Sequence, residues 1–189
     1  DHLKPEHRQE AEIIRGTNDK IPFRYFSDLI IWEISVDNSD QHCKTTRQVW
    51  ETLYALCVMF LIALALEKPF RGAIDFGFGV PIGGQNEIYG SASVKAYQLE
   101  EKVANYPRIV IGDMVWQYLS MVETSKPDTR LSKAAKIFAT NAKSLITLDN
   151  DNMRMLDVIG KGAKAVTGGI TKEMVSRAYD SLLRVQSKF

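Results

Sequence analysis

Hydrophobic and polar positions along this chain follow two periods, one typical of helices and one typical of strands. Apolar residues recur at helical spacing in 4–15, 45–66, 91–104, 113–122, 130–142 and 171–187, which predicts a helix over each segment. The first of these is predicted to be a surface helix that ends at Gly16. Runs rich in aromatic and β-branched residues predict strands over 21–35, from 70 onward, and over 108–111, 145–149 and 153–159, and the last two are predicted to form a hairpin across Asn150–Asn152. A hairpin in the middle of this order favours an α+β fold with a central, mostly antiparallel sheet and packed helices over a doubly wound sheet.

The second predicted helix contains an uncharged apolar run from Leu53 to Leu66. This run is shorter than the roughly 20 apolar residues that a membrane span needs. Polar residues also precede it, among them Arg47 and Glu51. The pattern therefore favours a mostly buried helix packed on a sheet, and we expect no membrane span.

Composition indicates one soluble domain over residues 1–189. A chain of 189 residues with 45% hydrophobic residues can bury one full core. The formal net charge of +1 gives no electrostatic reason to expect nucleic acid or an anionic membrane as partner. Two cysteines without a disulfide or zinc pattern, and a polar start without an apolar leader, predict a cytoplasmic location.

Asp28 is the best candidate ligand in the predicted strand over 21–35. If this segment is one strand, Arg24, Phe26, Asp28, Ile30 and Trp32 share a face, because alternate residues point the same way. A carboxylate in an apolar row is costly unless a cation, a metal or donors compensate it. Two explanations stay open at this point, a bound cation or a salt bridge to Arg24.

The segment from Phe70 to Asp113 carries the densest set of motifs. Arg71–Ile74 (RGAI) is predicted to open a hairpin, and the glycines that follow allow its turn. These glycines form neither a P-loop nor a dinucleotide fingerprint, because no Gly-Lys-Ser/Thr follows them and they do not open a helix. Tyr89-Gly90 then leads into a helix containing AYQLE, and YPRI starts the next strand.

In these motifs and their order, the chain resembles class III nucleotidyl cyclases, and most of all the pyrimidine cyclases of bacterial Pycsar anti-phage systems. The resemblance covers 23–113 well and the last third only in the order of its elements. It implies a ferredoxin-like core and a head-to-tail homodimer with shared active sites. It also implies two Mn²⁺ or Mg²⁺ ions per site, which serve the attacking hydroxyl and the leaving pyrophosphate.

The resemblance assigns one metal ligand within this chain. Phe26-Ser27-Asp28 is similar to the family's second metal aspartate, so Asp28 is predicted to be a metal ligand and catalytic residue. The first aspartate has no counterpart between Asp1 and Lys20. It is expected on a strand upstream of Asp1, unless this domain has lost that ligand.

The same carry-over places the nucleotide-binding residues. Base selection falls on Arg24 or Tyr25 together with Glu87, where adenylate cyclases have Lys and Asp. Longer side chains favour a smaller pyrimidine, and Arg and Glu match the acceptors and the N3 proton of uracil. Val94 and Gln98 stand where purine cyclases have the ribose-positioning Asn and the transition-state Arg.

Gln98 offers only a neutral hydrogen bond in place of that Arg. Lys95, Arg71 or Arg108 are candidates for the missing positive charge, and each has the alternative of being solvated or salt-bridged. We therefore predict Asp28, Lys95, Gln98 and Arg71 as the catalytic group.

The resemblance implies a cyclase that converts UTP, or CTP, into the 3′,5′-cyclic nucleotide and pyrophosphate. The product would be a second messenger that activates a separate effector in anti-phage defence. Two alternatives stay open: a catalytically inactive cyclase fold that regulates or binds nucleotides, and a structural interaction domain that assembles through the apolar helix at 53–66.

Overall fold

The computed structural model describes residues 5–16, 23–26, 29–32, 34, 40, 42–82, 87–160 and 172–186. The helices in this part of the chain are α1 (Pro5–Arg15), α2 (Cys43–Ala65), α3 (Ser91–Lys102), α4 (Asp113–Thr124), α5 (Arg130–Ser144) and α6 (Lys172–Gln186). The strands are β1 (Phe23–Phe26), β2 (Leu29–Trp32), β3 (Gly72–Ile74), β4 (Val80–Ile82), β5 (Glu87–Tyr89), β6 (Ile109–Ile111), β7 (Ile146–Leu148) and β8 (Arg154–Leu156). The bounds of the predicted helices are confirmed to within two residues.

The chain divides into two compact units. The first holds Asp1–Thr52 and Tyr118–Ala142, and the second holds Leu53–Gln117 and Lys143–Phe189. The divisions fall inside α2, α4 and α5 rather than in linkers. One catalytic domain over 1–189, with a first strand upstream of Asp1, stays a prediction.

In the first unit, the segment predicted as one long strand forms the two strands β1 and β2. They pair antiparallel with each other, with Phe23 opposite Trp32 and Phe26 opposite Leu29. The prediction of a single strand is therefore wrong. In the sequence, Ser27 and Asp28 separate Phe23–Phe26 from Leu29–Trp32, and such a polar pair is a turn signal. Asp28 lies outside the described residues, and its placement in an apolar row no longer follows.

A buried arginine connects α1 to α2 within the first unit. Arg47 is 2% exposed, and its guanidinium donates to the Glu51 carboxylate at 2.8 Å and to the Ile13 carbonyl at 3.1 Å. α1 stops before Gly16, whose φ of +67° favours glycine. A Cβ at Gly16 would collide with the Arg47 guanidinium. The predicted surface helix with a glycine stop is confirmed.

The second unit contains a mixed four-stranded sheet in the order β3-β6-β8-β7. β3 pairs parallel with β6, and the other two pairings are antiparallel. Arg71–Ile74 therefore does not open a hairpin, and that prediction is wrong. α3 supplies the crossover that a parallel pair requires, and the hairpin of this region is β4 with β5. The predicted hairpin around Asn150–Asn152 is confirmed as β7 with β8. The fold is α+β, as predicted.

Among the described helices, α2 alone is long and apolar enough to cross a membrane. Within its most apolar stretch, 44% of the residues are buried inside the protein. Leu53, Cys57, Phe60 and Leu64 are buried at helical spacing, so one face of α2 packs inside the protein, and the absence of a membrane span stays a prediction. The cytoplasmic location stays a prediction.

Cys43 and Cys57 are free thiols on α2, and both are 0% exposed. Burial raises the pKa of each thiol to about 12, with smaller contributions from Asp40 for Cys43 and from Asp157 for Cys57. Because the thiolate is the reactive form, neither cysteine has the character of a nucleophile or a redox centre at neutral pH.

Candidate functional site

Two parallel strands end side by side at Ile74 of β3 and Ile111 of β6. The Gly112 N–H donates to the Ile74 carbonyl at 2.7 Å, and the Asp75 carboxyl group lies where a Gly112 Cβ would be. In open α/β sheets, ligands bind outside the carboxyl ends of the strands. The carboxyl ends of β3 and β6 are therefore one candidate location for a binding site.

The glycine-rich segment 75–79, which we call the 75–79 loop, is fastened to the start of α3. The Phe78 N–H donates to Ser91 Oγ at 3.0 Å, and the Phe78 carbonyl accepts from the Ala92 N–H at 3.1 Å. A Cβ at Gly77 would lie 2.6 Å from the Ala92 nitrogen. Gly90 has a φ of +152°, and a Cβ there would collide with the Phe78 carbonyl. Both glycines are needed for this approach of two backbones.

α3 has an exposed face directly after its contacts with the 75–79 loop. None of its residues is fully buried, and Val94, Tyr97 and Gln98 are exposed. Lys95 is half-buried. Within the described part of the chain, the side chains of Lys95 and Gln98 form no hydrogen bond or ion pair. Two of the predicted catalytic residues are thus available to a ligand or to a partner protein.

Arg71, the third predicted catalytic residue of this region, has partners near the end of α3 and just after it. Its guanidinium lies 2.9 Å from Glu100 and donates to the Ala104 carbonyl at 3.4 Å. The salt-bridged alternative is therefore observed for Arg71. A role in catalysis, which stays a prediction, would require Arg71 to exchange these partners for substrate.

Arg108, the other cation considered for that role, is buried in an acidic cluster. Its guanidinium donates to Asp149 at 2.7 Å, to Asp151 at 2.6 Å and to the Val103 carbonyl at 2.6 Å. Tyr106 bonds to Asp149, accepts from Arg108 at 2.8 Å and lies against its guanidinium. Arg108 is 4% exposed, and its positive charge is balanced by these acidic side chains within the protein.

The titration of this cluster follows its contacts. Hydrogen bonds from Arg108 lower the pKa of Asp151. Burial alone would raise the pKa of Asp149, but bonds from Tyr106, the Asn150 N–H and Arg108 lower it on balance. Burial and the bond to Asp149 raise the pKa of Tyr106 to about 12. The cluster is therefore fully ionised at neutral pH, apart from a neutral tyrosine.

The predicted base-selecting residues lie on strands of two different hairpins, β1–β2 and β4–β5. Arg24 and Tyr25 belong to β1 in the first unit, and Glu87 opens β5 in the second unit, opposite Ile82. β5 runs directly into Gly90 and α3, so Glu87, Val94 and Gln98 share one short stretch of chain. Arg24, Tyr25 and the undescribed Asp28 are not on that stretch.

The predicted metal site has one assigned ligand, Asp28. The described residues contain no group of three or more His, Cys, Asp or Glu side chains placed to hold a metal ion. Those residues alone therefore do not provide the donor set of a two-ion centre. The requirement for Mn²⁺ or Mg²⁺ stays a prediction.

Two features of this region were missed in the sequence. Phe78 does not stand out in the sequence from the glycine-rich turn that contains it, although glycines on both sides of an aromatic residue signal close backbone packing. Asp75 was not considered, although it follows a strand directly. Both signals are local, but their meaning depends on Gly112 and α3, which lie far along the chain.

Comparison with known proteins does not assign this site. No protein-family model matches the chain, and no curated protein or solved structure matches it significantly. Any functional conclusion therefore depends on the residues of the chain and their geometry.

Proposed function

We propose that this protein is a pyrimidine nucleotide cyclase that acts on UTP, with CTP as the second choice. One observation supports this most. The base-selecting candidate Glu87, Gly90 and the exposed Val94 and Gln98 follow one another along β5 and α3.

The reaction requires few groups from the protein. The 3′-oxygen of the ribose attacks the α-phosphorus, a new P–O bond forms, and the bond to the β-phosphate oxygen breaks to release pyrophosphate. The 3′-hydroxyl proton leaves to solvent or to a base. Two divalent cations, when bound, supply the charge that stabilises the attacking and leaving oxygens.

The residues of α3 have defined roles in this proposal. Gln98 donates a neutral hydrogen bond to the phosphate that develops charge, and Lys95 contributes a nearby positive charge. Val94 packs against the ribose without the hydrogen bond that an Asn would give. Glu87 accepts the N3 proton of uracil, and Arg24 or Tyr25 is the proposed donor to an acceptor of the base.

The proposed assembly is a head-to-tail homodimer. In this assembly one copy contributes Asp28 and the other contributes α3, so that each of the two sites combines residues of both chains. The cyclic product leaves the protein and activates a separate effector in anti-phage defence.

A second candidate function is a nucleotide-binding or regulatory module without catalysis. The observation that favours it is the pairing of Arg71 with Glu100 and of Arg108 with Asp149 and Asp151. Each arginine that could replace the transition-state cation already has acidic partners.

The test is to incubate the purified full-length protein with ATP, GTP, CTP and UTP in separate reactions with Mn²⁺, and to identify products by mass spectrometry. We expect cyclic UMP, or cyclic CMP, and pyrophosphate in equal amounts. Asp28→Ala should abolish both, whereas Asp180→Ala, which removes an exposed aspartate of α6, should not. Nucleotide binding without any cyclic product would support the regulatory module instead.

A further inference from the structure

Phe78 has the largest exposed fraction of the large hydrophobic residues that the structure describes, at 71%. Single exposed apolar side chains are common on protein surfaces and need no explanation. Phe78 lies in a loop, outside the helices and strands, and its backbone is nevertheless held on both sides, through its N–H to Ser91 and its carbonyl to Ala92. The ring is therefore displayed from a fixed position.

Glycines near Phe78 make these backbone contacts possible. Gly77 and Gly90 allow backbone approaches that a side chain at either position would prevent. A loop that only had to turn would not need two backbones this close. Gly77 and Gly90 thus carry no side chain at these close contacts, whereas Phe78 carries a large apolar ring that is mostly exposed.

The backbone of Phe78 also lies close to the stretch of chain that carries the proposed site. Its carbonyl lies against Gly90, which comes three residues after Glu87 and four before Val94. Val94 and Tyr97 on the adjoining helix face are 54% and 56% exposed. The exposed side chains of Phe78, Val94 and Tyr97 therefore belong to two segments that meet at Gly90.

We propose that Phe78 is the platform on which the pyrimidine ring of the substrate stacks. This inference rests on the proposed function and adds to it the group that binds the face of the base. Phenylalanine has no hydrogen-bonding group, so Phe78 supplies affinity for any base, while Glu87 and Arg24 or Tyr25 select among bases by their edges. Stacking of this kind tolerates every base because each has a π-face.

The test compares a ligand that has a base with one that lacks it. Binding of UTP and of inorganic tripolyphosphate is measured by calorimetry for the parent protein, Phe78→Ala, Phe78→Leu and Phe78→Trp. We expect Phe78→Ala to weaken UTP binding roughly 10-fold and to leave tripolyphosphate binding unchanged. Phe78→Trp should retain UTP affinity, and Phe78→Leu, which keeps apolar bulk without a π-face, should resemble Phe78→Ala.

The matched control is Tyr179→Ala, because Tyr179 is an exposed aromatic residue of α6, at 53%. It should change neither affinity, and thermal melting should show every variant folded. In turnover assays, Phe78→Ala should raise KM for UTP about 10-fold with little change in kcat.

The outcomes separate this inference from the proposed function. If the parent protein makes cyclic product and Phe78→Ala has the same KM, stacking on Phe78 is overturned and the cyclase proposal stands. Equal weakening of tripolyphosphate also overturns it, because the loss would not involve the base. Loss of dimer mass in Phe78→Ala with unchanged UTP affinity would assign the ring to a protein contact. A parent protein that binds no nucleotide overturns both proposals.

Discussion

Arg108 and Asp149 lie 2.7 Å apart, which joins the residue before strand β6 to the turn of the β7–β8 hairpin. Their side chains are 3% and 14% exposed, so this pair is largely removed from water. The second partner, Asp151, is 45% exposed and reaches the same guanidinium at 2.6 Å. The cluster connects two segments of the sheet that are distant in sequence.

Arg108→Met should destabilise the protein by about 3 kcal/mol, because it leaves the partly buried Asp149 without its cation. Urea denaturation measures this loss. The control is Arg71→Met, which breaks an ion pair whose side chains are 45% and 27% exposed and should cost less than about 1 kcal/mol. Equal losses from the two substitutions would show that burial does not distinguish the pairs.

The lowered pKa values of Asp149 and Asp151 predict a loss of stability in acid. A carboxyl whose folded pKa is depressed stabilises the fold above its unfolded pKa, near 3.8, and this contribution falls as pH drops through the folded value. Urea midpoints should therefore decline below about pH 4. The decline should be smaller in Asp149→Asn, and an identical decline in both proteins would contradict the assignment.

Gly90→Ala should destabilise the protein by about 1–3 kcal/mol, because φ at this position is +152° and the new Cβ would meet the Phe78 carbonyl. Gly72→Ala is the matched control, since its Cβ would lie 3.6 Å from the nearest Ile109 side-chain atom, an ordinary contact. Thermal melting compares the two. A tolerated Gly90→Ala would mean that the 75–79 loop can move away from α3.

Under the proposed function, Gln98→Ala should lower kcat about 10-fold with little change in KM, because a donor that acts on developing charge matters in the transition state. Glu101→Ala, one helical turn further along the exposed face, should leave both constants unchanged. Steady-state kinetics with UTP checks this. A rise in KM alone would assign Gln98 to substrate binding.

The sequence allowed the helices, the β7–β8 hairpin and the α+β class to be predicted, because periodicity and turn residues are local signals. Two strand assignments failed for a shared reason. In 21–35 a turn signal of two polar residues is flanked by strand-forming residues on both sides, and the pairing of Phe23 with Trp32 shows that the segment folds back on itself. Likewise, the parallel partner of Gly72–Ile74 lies beyond α3, and pairings this distant depend on tertiary packing.

Only part of the candidate site could be predicted from the sequence. The succession of Glu87, Val94 and Gln98 could be read directly, since all three lie within one stretch from β5 to α3. The partners of Arg71 and Arg108 could not be read, because Glu100 and Asp149 are brought to them only by folding. The importance of Phe78 likewise depends on a contact between separate segments.

The complete burial of Cys43 and Cys57 makes the folded chain equivalent to a cysteine-free protein for labelling reagents. One cysteine introduced at the exposed Tyr97 would then carry a single spin label without removal of either native thiol. In a homodimer, the two labels would give one distance between the α3 helices. Pulsed electron paramagnetic resonance could follow that distance as nucleotide is added.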